Sequence, residues 1–397
     1  MTGLLSRTDA LSAILERVQP VGAERVPLRE VAGRVLAEPA VSATDLPPFP
    51  SSAMDGFAVR SGDTPGTLPV TARVAAGKPT KAHLPPGQAA AIATGGAVPT
   101  GADAVVPIER VHDHGDVVEI PERLASGENV RERGGDIRAG DEVLPARALV
   151  GPAQIGALAA AGVTELACAR RPQAALLTTG TELRAPGEQL QFGQIYESNG
   201  AMLEALLRSA GATVERLGSV GDDPGEHRDA ISRGLAADLL VTSGGVSVGP
   251  HDLVRATERE LGVEEIFWGV SVRPGKPLTF GLRGRTLVFG LPGNPVSALV
   301  SAELFVRPAV LALQGVSSPG PHFDRGTLGV AVRPNRSRDE LLRVRAEVAE
   351  DGVRIFPVSG QESHMIVRGA AANALALIPQ GQDELPAGAD IRYLRLG

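Results

Sequence analysis

The chain has 397 residues, enough for two to four domains, and is 43% hydrophobic but only 3% aromatic, so its cores must be built from small and branched aliphatics. A formal net charge of −7 excludes a general nucleic-acid-binding surface, which would be basic, but not a local basic pocket for an anionic ligand. The one cysteine, Cys168, excludes an intrachain disulfide, and its Ala/Leu neighbours mark it as a buried structural thiol.

In chain order, residues 8–18 have helical spacing, with Thr8 or Asp9 as the cap, and Pro20 ends the pattern. A second helix is predicted over 28–38. Residues 42–139 are rich in Pro and Gly, with short β-type runs at 70–75 and 117–120, and read as a small inserted mostly-β domain. Helical spacing returns at 152–161, so residues 1–41 and 140–170 are expected to form one discontinuous helical domain. Residues 171–315 alternate. Strands are predicted at 174–178, 214–220, 238–242, near 263–267 and at 286–290. Helices are predicted at 200–210 with Asn199 as cap, 226–236, 252–261 and 296–313. Strand–helix alternation with short connections predicts a parallel three-layer α/β sandwich. Residues 315–325 read as a linker, and strand-like runs at 341–345, 353–356, 374–378 and 391–395 predict a C-terminal β-barrel domain over 316–397. The N-terminus carries no apolar signal core and no stretch reads as long and apolar enough to span a bilayer; the expectation is a soluble cytoplasmic protein with no membrane or nucleic-acid partner.

The most specific stretch is 239–252, LLVTSGGVSVGPHD. A β-type run empties into a glycine turn that leads into a helical pattern, and backbone N–H groups beside a helix N-terminus cradle anions. Ser243, Gly244, Gly245, Ser247 and Gly249 are the candidate ligand-binding positions; the glycines are equally compatible with an ordinary turn. Glu182 and Asp222 also follow predicted strand ends, where sheets of this type bind ligands, so they are expected to meet the glycine turn in one site. Asp252 and Asp222 each have a second reading as helix N-caps. Downstream, Arg273-Pro-Gly-Lys276-Pro supplies two cations on a proline-restricted backbone. Leu291-Pro292-Gly-Asn294-Pro295 is a stiff loop beside them or a plain helix entrance.

Taken in order, SGGVSVG-x-x-D at 243–252, FW-x₄-RPGKP at 267–277 and LPGNPVSA at 291–298 resemble the molybdopterin molybdenumtransferase family, the MoeA-like proteins and the E domain of gephyrin. The resemblance covers almost the whole chain. It includes PSSAMDGFA at 50–58, ATGGAVPTGADAVV at 93–106, RGGDI at 133–137, TGTEL at 179–183, QIYESN at 194–199 and the 363–373 region. It implies insertion of molybdenum from molybdate into adenylylated molybdopterin, with AMP release assisted by Mg²⁺. It also implies a homodimer in which the inserted domain of one subunit faces the α/β domain of the other. Molybdopterin adenylyltransferase and molybdoenzyme apoproteins are the further partners it suggests.

On this resemblance Asp55, Thr94, Asp136, Glu182, Asp222, Asp252, Arg273, Lys276, Arg338 and Ser363 have parts in the reaction. Asp252, Asp222 and Glu182 are the metal-ligand candidates, since cleavage of a pyrophosphate link requires a hard cation on oxygen ligands. Arg273, Lys276 and Arg338 are the oxyanion candidates, while Pro292, Asn294 and Pro295 shape the pterin-nucleotide site. The chain departs from the family pattern at Gly269, where a lysine is usual, at Arg255 and Arg273, which replace lysines, and at 366–368 after His-Met. Val367 stands there in place of a common serine, and Arg368 is a candidate replacement for the charge missing at 269. The rival readings are molybdopterin adenylyltransferase, whose members share the SGG-type domain, and a noncatalytic dimeric scaffold of the gephyrin-E kind.

Overall fold

A computed structural model of the chain describes residues 3–80, 82–245, 253–381 and 383–396. The chain divides into two compact units, one formed by residues 1–24 and 169–397 and the other by residues 25–168.

The first unit is built on a six-stranded sheet in the order Thr213–Val220, Gln173–Thr179, Leu239–Ser243, Thr286–Leu291, Thr279–Arg283, Glu264–Trp268. Its central strands Gln173–Thr179, Leu239–Ser243 and Thr286–Leu291 are buried on both faces, which is why they read as continuous hydrophobic runs rather than alternating ones. Leu176, Val241 and Phe289 pack toward helices Asn199–Ser209 and Pro295–Ser301. Their neighbours Ala175, Leu177, Leu240 and Val288 pack the other way, with Ile231 of Pro224–Gly234 and Val254 of Leu253–Glu260. That gives the expected three layers. The sheet is not wholly parallel, however. Thr279–Arg283, a strand absent from the sequence reading, runs antiparallel to both neighbours. It returns through Gly284-Arg285, with Gly284 at φ 60°, so a two-residue hairpin replaces a helical crossover there.

The N-terminal helix spans Arg7–Leu15 and is capped by Ser6, whose Oγ accepts from Asp9 N, rather than by Thr8 or Asp9. Its Ala10 and Ile14 join the core of this unit, so the expected 1–41 segment is divided between the two units. Helix 295–313 contains a π-turn at Ala302–Val306. Contrary to the sequence reading, it is long and apolar enough to cross a bilayer, but 78% of that span is buried within the protein, which marks it as a core helix.

Five strands, Asp324–Leu328, Asp339–Ala349, Gly352–Pro357, Ala374–Ile378 and Asp390–Arg395, close into a barrel through the pairing of the second with the fourth. Alternation divides them. Val344, Ala376 and Tyr393 fill the barrel, while Leu341, Leu375 and Leu377 pack on the sheet's core. Asp324–Leu328 begins inside the segment expected to be linker. The barrel is also joined to the sandwich by Val272–Arg273, which pairs with it in the register Val272↔Asp339 and Arg273↔Glu340.

In the second unit the inserted region forms a six-stranded sheet that includes Gly56–Val59, Gly66–Val74, Ala89–Ile92 and Val117–Ile120. Residues 25–41 and 140–168 share a core of Val26, Val31, Leu36, Val150, Leu158 and the buried Cys168. The helix expected at 28–38 does not form. Only a single 3-10 turn, Leu28–Glu30, is present, and Gly33 turns the chain at φ 69°. The donors of Leu36 and Ala37 go to Ala148 and Ala167 instead, so long-range backbone pairing overrides a helix-like spacing.

Candidate active site

The carboxyl ends of Gln173–Thr179, Leu239–Ser243 and Thr286–Leu291, together with the loop after Val220, open onto a cavity of about 810 Å³. It is lined by Glu182, Asp222, Ser243, Gly244, Gly245, Asn199, Pro292, Asn294 and Pro295, among others. The strand ends therefore bring together the acidic residues, the described part of the glycine turn and the Pro-Gly-Asn-Pro loop. Ser247, Gly249 and Asp252 lie outside the described residues.

The glycine turn needs glycine. Gly244 has φ 97°, and a Cβ there would lie 2.6 Å from Thr179 Oγ1 and 2.7 Å from Thr179 O. The backbone at 244 thus lies against the neighbouring strand end, and its N–H donates to Leu291 O at 3.0 Å. Gly293 approaches from the other side, with a hypothetical Cβ 3.7 Å from Gly244 Cα.

Two capping questions are decided by hydrogen bonds. Helix Pro224–Gly234 is capped by Asp223, whose carboxylate accepts from Glu226 N at 2.8 Å, not by Asp222. Asp222 faces the cavity beside Glu182, and both are exposed there. Asn199 does not cap its helix either. Glu197 takes that part, accepting from Gly200 N at 2.6 Å while Arg216 holds its other oxygen at 2.6 Å. The Asn199 amide instead donates to Ser243 Oγ at 2.9 Å and to Gly293 O at 2.8 Å. Asn294 stands at the N-cap position of Pro295–Ser301 but makes no side-chain capping bond. Its amide donates to Ser363 Oγ at 3.0 Å, and Ser363 O accepts from Val296 N, so the loop is fastened to the barrel.

The basic residues are not in the cavity lining, although Pro277, next to Lys276, is; they fall in two groups, Arg273 and Arg338 at Glu340, and Lys276 and Arg255 at Trp268. Arg273 is exposed and pairs with Glu340 at 3.4 Å; Arg338 donates to Val272 O at 3.4 Å. Burial pushes the Glu340 carboxyl up, against the pull of Arg273 and Arg338. Lys276 Nζ and the Arg255 guanidinium lie 6.0 and 5.9 Å from the Trp268 ring centre, and Arg255 is also held by both oxygens of Glu265. Gly269 has φ 88°, and a Cβ there would meet Leu4 Cδ2 at 2.6 Å, so the usual lysine is disfavoured by the backbone itself. Arg368, on the short helix Ile366–Gly369, is exposed and is not in the cavity lining.

In the second unit Asp55 and Thr94 are together: Thr94 N donates to Asp55 Oδ1 at 2.8 Å. Asp136 is exposed in a turn whose N–H donates to Leu46 O, beside an Arg133–Asp45 ion pair.

Among the described residues, no three His, Cys, Asp or Glu side chains are grouped to hold a metal ion. Glu182 and Asp222 both present exposed carboxylates to the cavity, and carboxylate oxygen is the ligand type of which a hard cation such as magnesium takes one or two, completing its shell with water and phosphate. The sequence reading missed His227 and His364 in the cavity lining. His227 is buried and its Nε2 contacts Gly221 O at 2.8 Å, next to Asp222; no local pattern marks it, because its environment is made by the fold.

Three family models match in succession: the MoeA N-terminal region (domain I and II) over 5–162, a probable molybdopterin binding domain over 175–312, and the MoeA C-terminal region (domain IV) over 325–396. The chain is 38% identical to molybdopterin molybdenumtransferase 2 of Mycobacterium tuberculosis, covering 92% of this chain and 93% of that protein. It is 35% identical to molybdopterin molybdenumtransferase of Haemophilus influenzae, covering 97% of each. A molybdopterin biosynthesis MoeA protein of Pyrococcus horikoshii superposes with a TM-score of 0.86 at 27% identity, over 99% of this chain and 100% of that one.

Proposed function

The chain belongs to the molybdopterin molybdenumtransferase family, and from that premise we propose that it inserts molybdenum from molybdate into adenylylated molybdopterin with release of AMP. The observation that carries the reading is the convergence of Glu182, Asp222, the Ser243–Gly245 turn and the Pro292–Pro295 loop on one cavity, which the segment carrying Arg273 and Lys276 reaches at Pro277, with Arg338 bonded to Val272 O of that segment. Backbone N–H groups of the turn beyond Gly244, whose own N–H is held by Leu291 O, receive the phosphates, and the stiff loop orients the nucleotide end. These basic residues receive molybdate as an oxyanion; among the described residues no ion pair engages Lys276, whereas Arg273 shares its charge with Glu340. Magnesium held by Glu182 and Asp222 would neutralise phosphate charge during cleavage of the adenylyl link. Water then supplies the oxygen that completes AMP.

We extend the proposal to a homodimer working in the cytoplasm, with Asp55 and Thr94 of a second copy completing each site. Mixing an Asp55→Ala chain with an Asp222→Ala chain is expected to restore activity in verified heterodimers; no recovery refutes shared sites.

The deciding assay is AMP release from adenylylated molybdopterin as a function of molybdate. Molybdate-dependent release is expected. AMP transfer from ATP to molybdopterin instead would make the chain an adenylyltransferase. Dimerisation with neither activity nor pterin binding would make it a scaffold.

A further inference from the structure

We propose that Asn199 is a positioning residue whose amide ties the end of strand Leu239–Ser243 to the Pro292–Pro295 loop, fixing the two backbone segments that receive the phosphorylated ligand. The inference rests on the proposed function for what is bound, but not for the tie itself.

Asn199 stands first in helix Asn199–Ser209, where an asparagine ordinarily spends its side chain on its own helix. Here that need is met by Glu197, anchored by Arg216. The amide is therefore spare, and both of its hydrogens go across the sheet to partners 44 and 94 residues away. One partner is the hydroxyl directly before Gly244. The other is the carbonyl of Gly293, the residue whose backbone faces Gly244. Ser243 Oγ also contacts Pro292 O at 3.4 Å. A single 9%-exposed side chain thus closes a ring of contacts around the gap between turn and loop. Nothing else described holds these two segments through a side chain from a third element. The Asn199 Oδ1 atom is buried and has no hydrogen-bond partner among the described residues, so the donors, not the oxygen, give the residue its purpose. A buried oxygen left unmatched is a cost that a filler residue would avoid.

The geometry makes a sharp demand on chemistry, because Gly293 O requires a donor. Asn199→Asp keeps the shape but presents a carboxylate oxygen to that carbonyl. Protonation of the oxygen that stands in place of Nδ2 restores one O–H for Gly293 O, and that same oxygen accepts from the Ser243 hydroxyl. The helix keeps its Glu197 cap, so the variant is expected to fold.

The test measures amide exchange at 241–245 and 291–295 in the unliganded chain at pH 7.5 and 5.0, corrected for intrinsic rates, in wild type, Asn199→Asp and Asn199→Ala. Both variants should lose about tenfold in protection at pH 7.5, and only Asn199→Asp should regain it at pH 5.0. The KM for adenylylated molybdopterin should rise about tenfold in both variants, with a smaller change in kcat. Wild-type protection and KM in Asn199→Asp at pH 7.5 would overturn the proposal. So would equal loss in both variants with no recovery at low pH. If wild type releases no AMP, the proposed function fails while the exchange measurement still decides the tie.

Discussion

Gly269→Lys tests whether the missing family lysine is a deficit or an accommodation. The substitution places a side chain on a backbone with φ 88°. An L-residue in the left-handed region costs about 1–2 kcal/mol. The close contact with Leu4 adds little, since Leu4 Cδ2 is the end of a side chain that is 37% exposed. For a cooperative unit of about 150–250 residues, each kcal/mol lowers Tm by roughly 2–4 °C, so a fall of roughly 2–8 °C is expected. Against that stands the gain of a cation. One charge-assisted contact to an oxyanion is worth about 1.5–3 kcal/mol, about tenfold to hundredfold in the molybdate concentration for half-maximal AMP release. Gly269→Ala carries the backbone cost without the charge, so lysine compared with alanine isolates the charge. The expected result is an equal fall in Tm for both variants and a lower molybdate requirement for lysine alone. An unchanged Tm in Gly269→Ala would refute the backbone argument. Identical molybdate curves for the two variants would refute the deficit.

Asp222→Asn should lower AMP release about a hundredfold with little change in stability, while Asp223→Ala should cost about 0.5–2 kcal/mol of stability and leave turnover intact; thermal melts and initial rates on the pair check this. Arg273→Ala and Lys276→Ala should each raise the molybdate requirement about tenfold to hundredfold, and unchanged titrations in both would remove these two residues from the oxyanion site. Glu340 has a folded-state carboxyl raised by burial, so its stabilising contribution is complete below about pH 4.3 and is lost as pH rises through the folded value. Glu340→Gln should therefore gain stability over wild type at pH 7 but not at pH 4, and it should also lower the molybdate requirement by releasing Arg273. Burial works to raise the Asp238 carboxyl, but the paired contact with Arg170 and the Gln173 N–H hold it below the usual range. Its contribution is present above about pH 3.9 and is lost as pH falls through the folded value, so Asp238→Asn should be less stable than wild type at pH 7, with the gap closing as the pH falls below the unfolded value.

The parts readable in the sequence are those whose causes are local. Strands Gln173–Thr179 and Leu239–Ser243 are buried on both faces and read as apolar runs; the glycine turn reads as a turn because Gly244 must take a positive φ. Helix 28–38 failed for the opposite reason: its spacing is helical, but the donors of Leu28, Gly33, Leu36 and Ala37 are taken by carbonyls more than 100 residues away. Asn199 shows the same competition at the site. Local propensity makes it a cap, but the capping bond is made by Glu197, held by Arg216 from a neighbouring strand. Once the cap is supplied, the amide is free to serve Ser243 and Gly293. Asp222 and Asp223 divide in the same way, one carboxylate spent on the helix and its neighbour facing the cavity. In both cases two polar residues no more than two positions apart compete for one structural duty, and the residue left over is the one that faces the cavity.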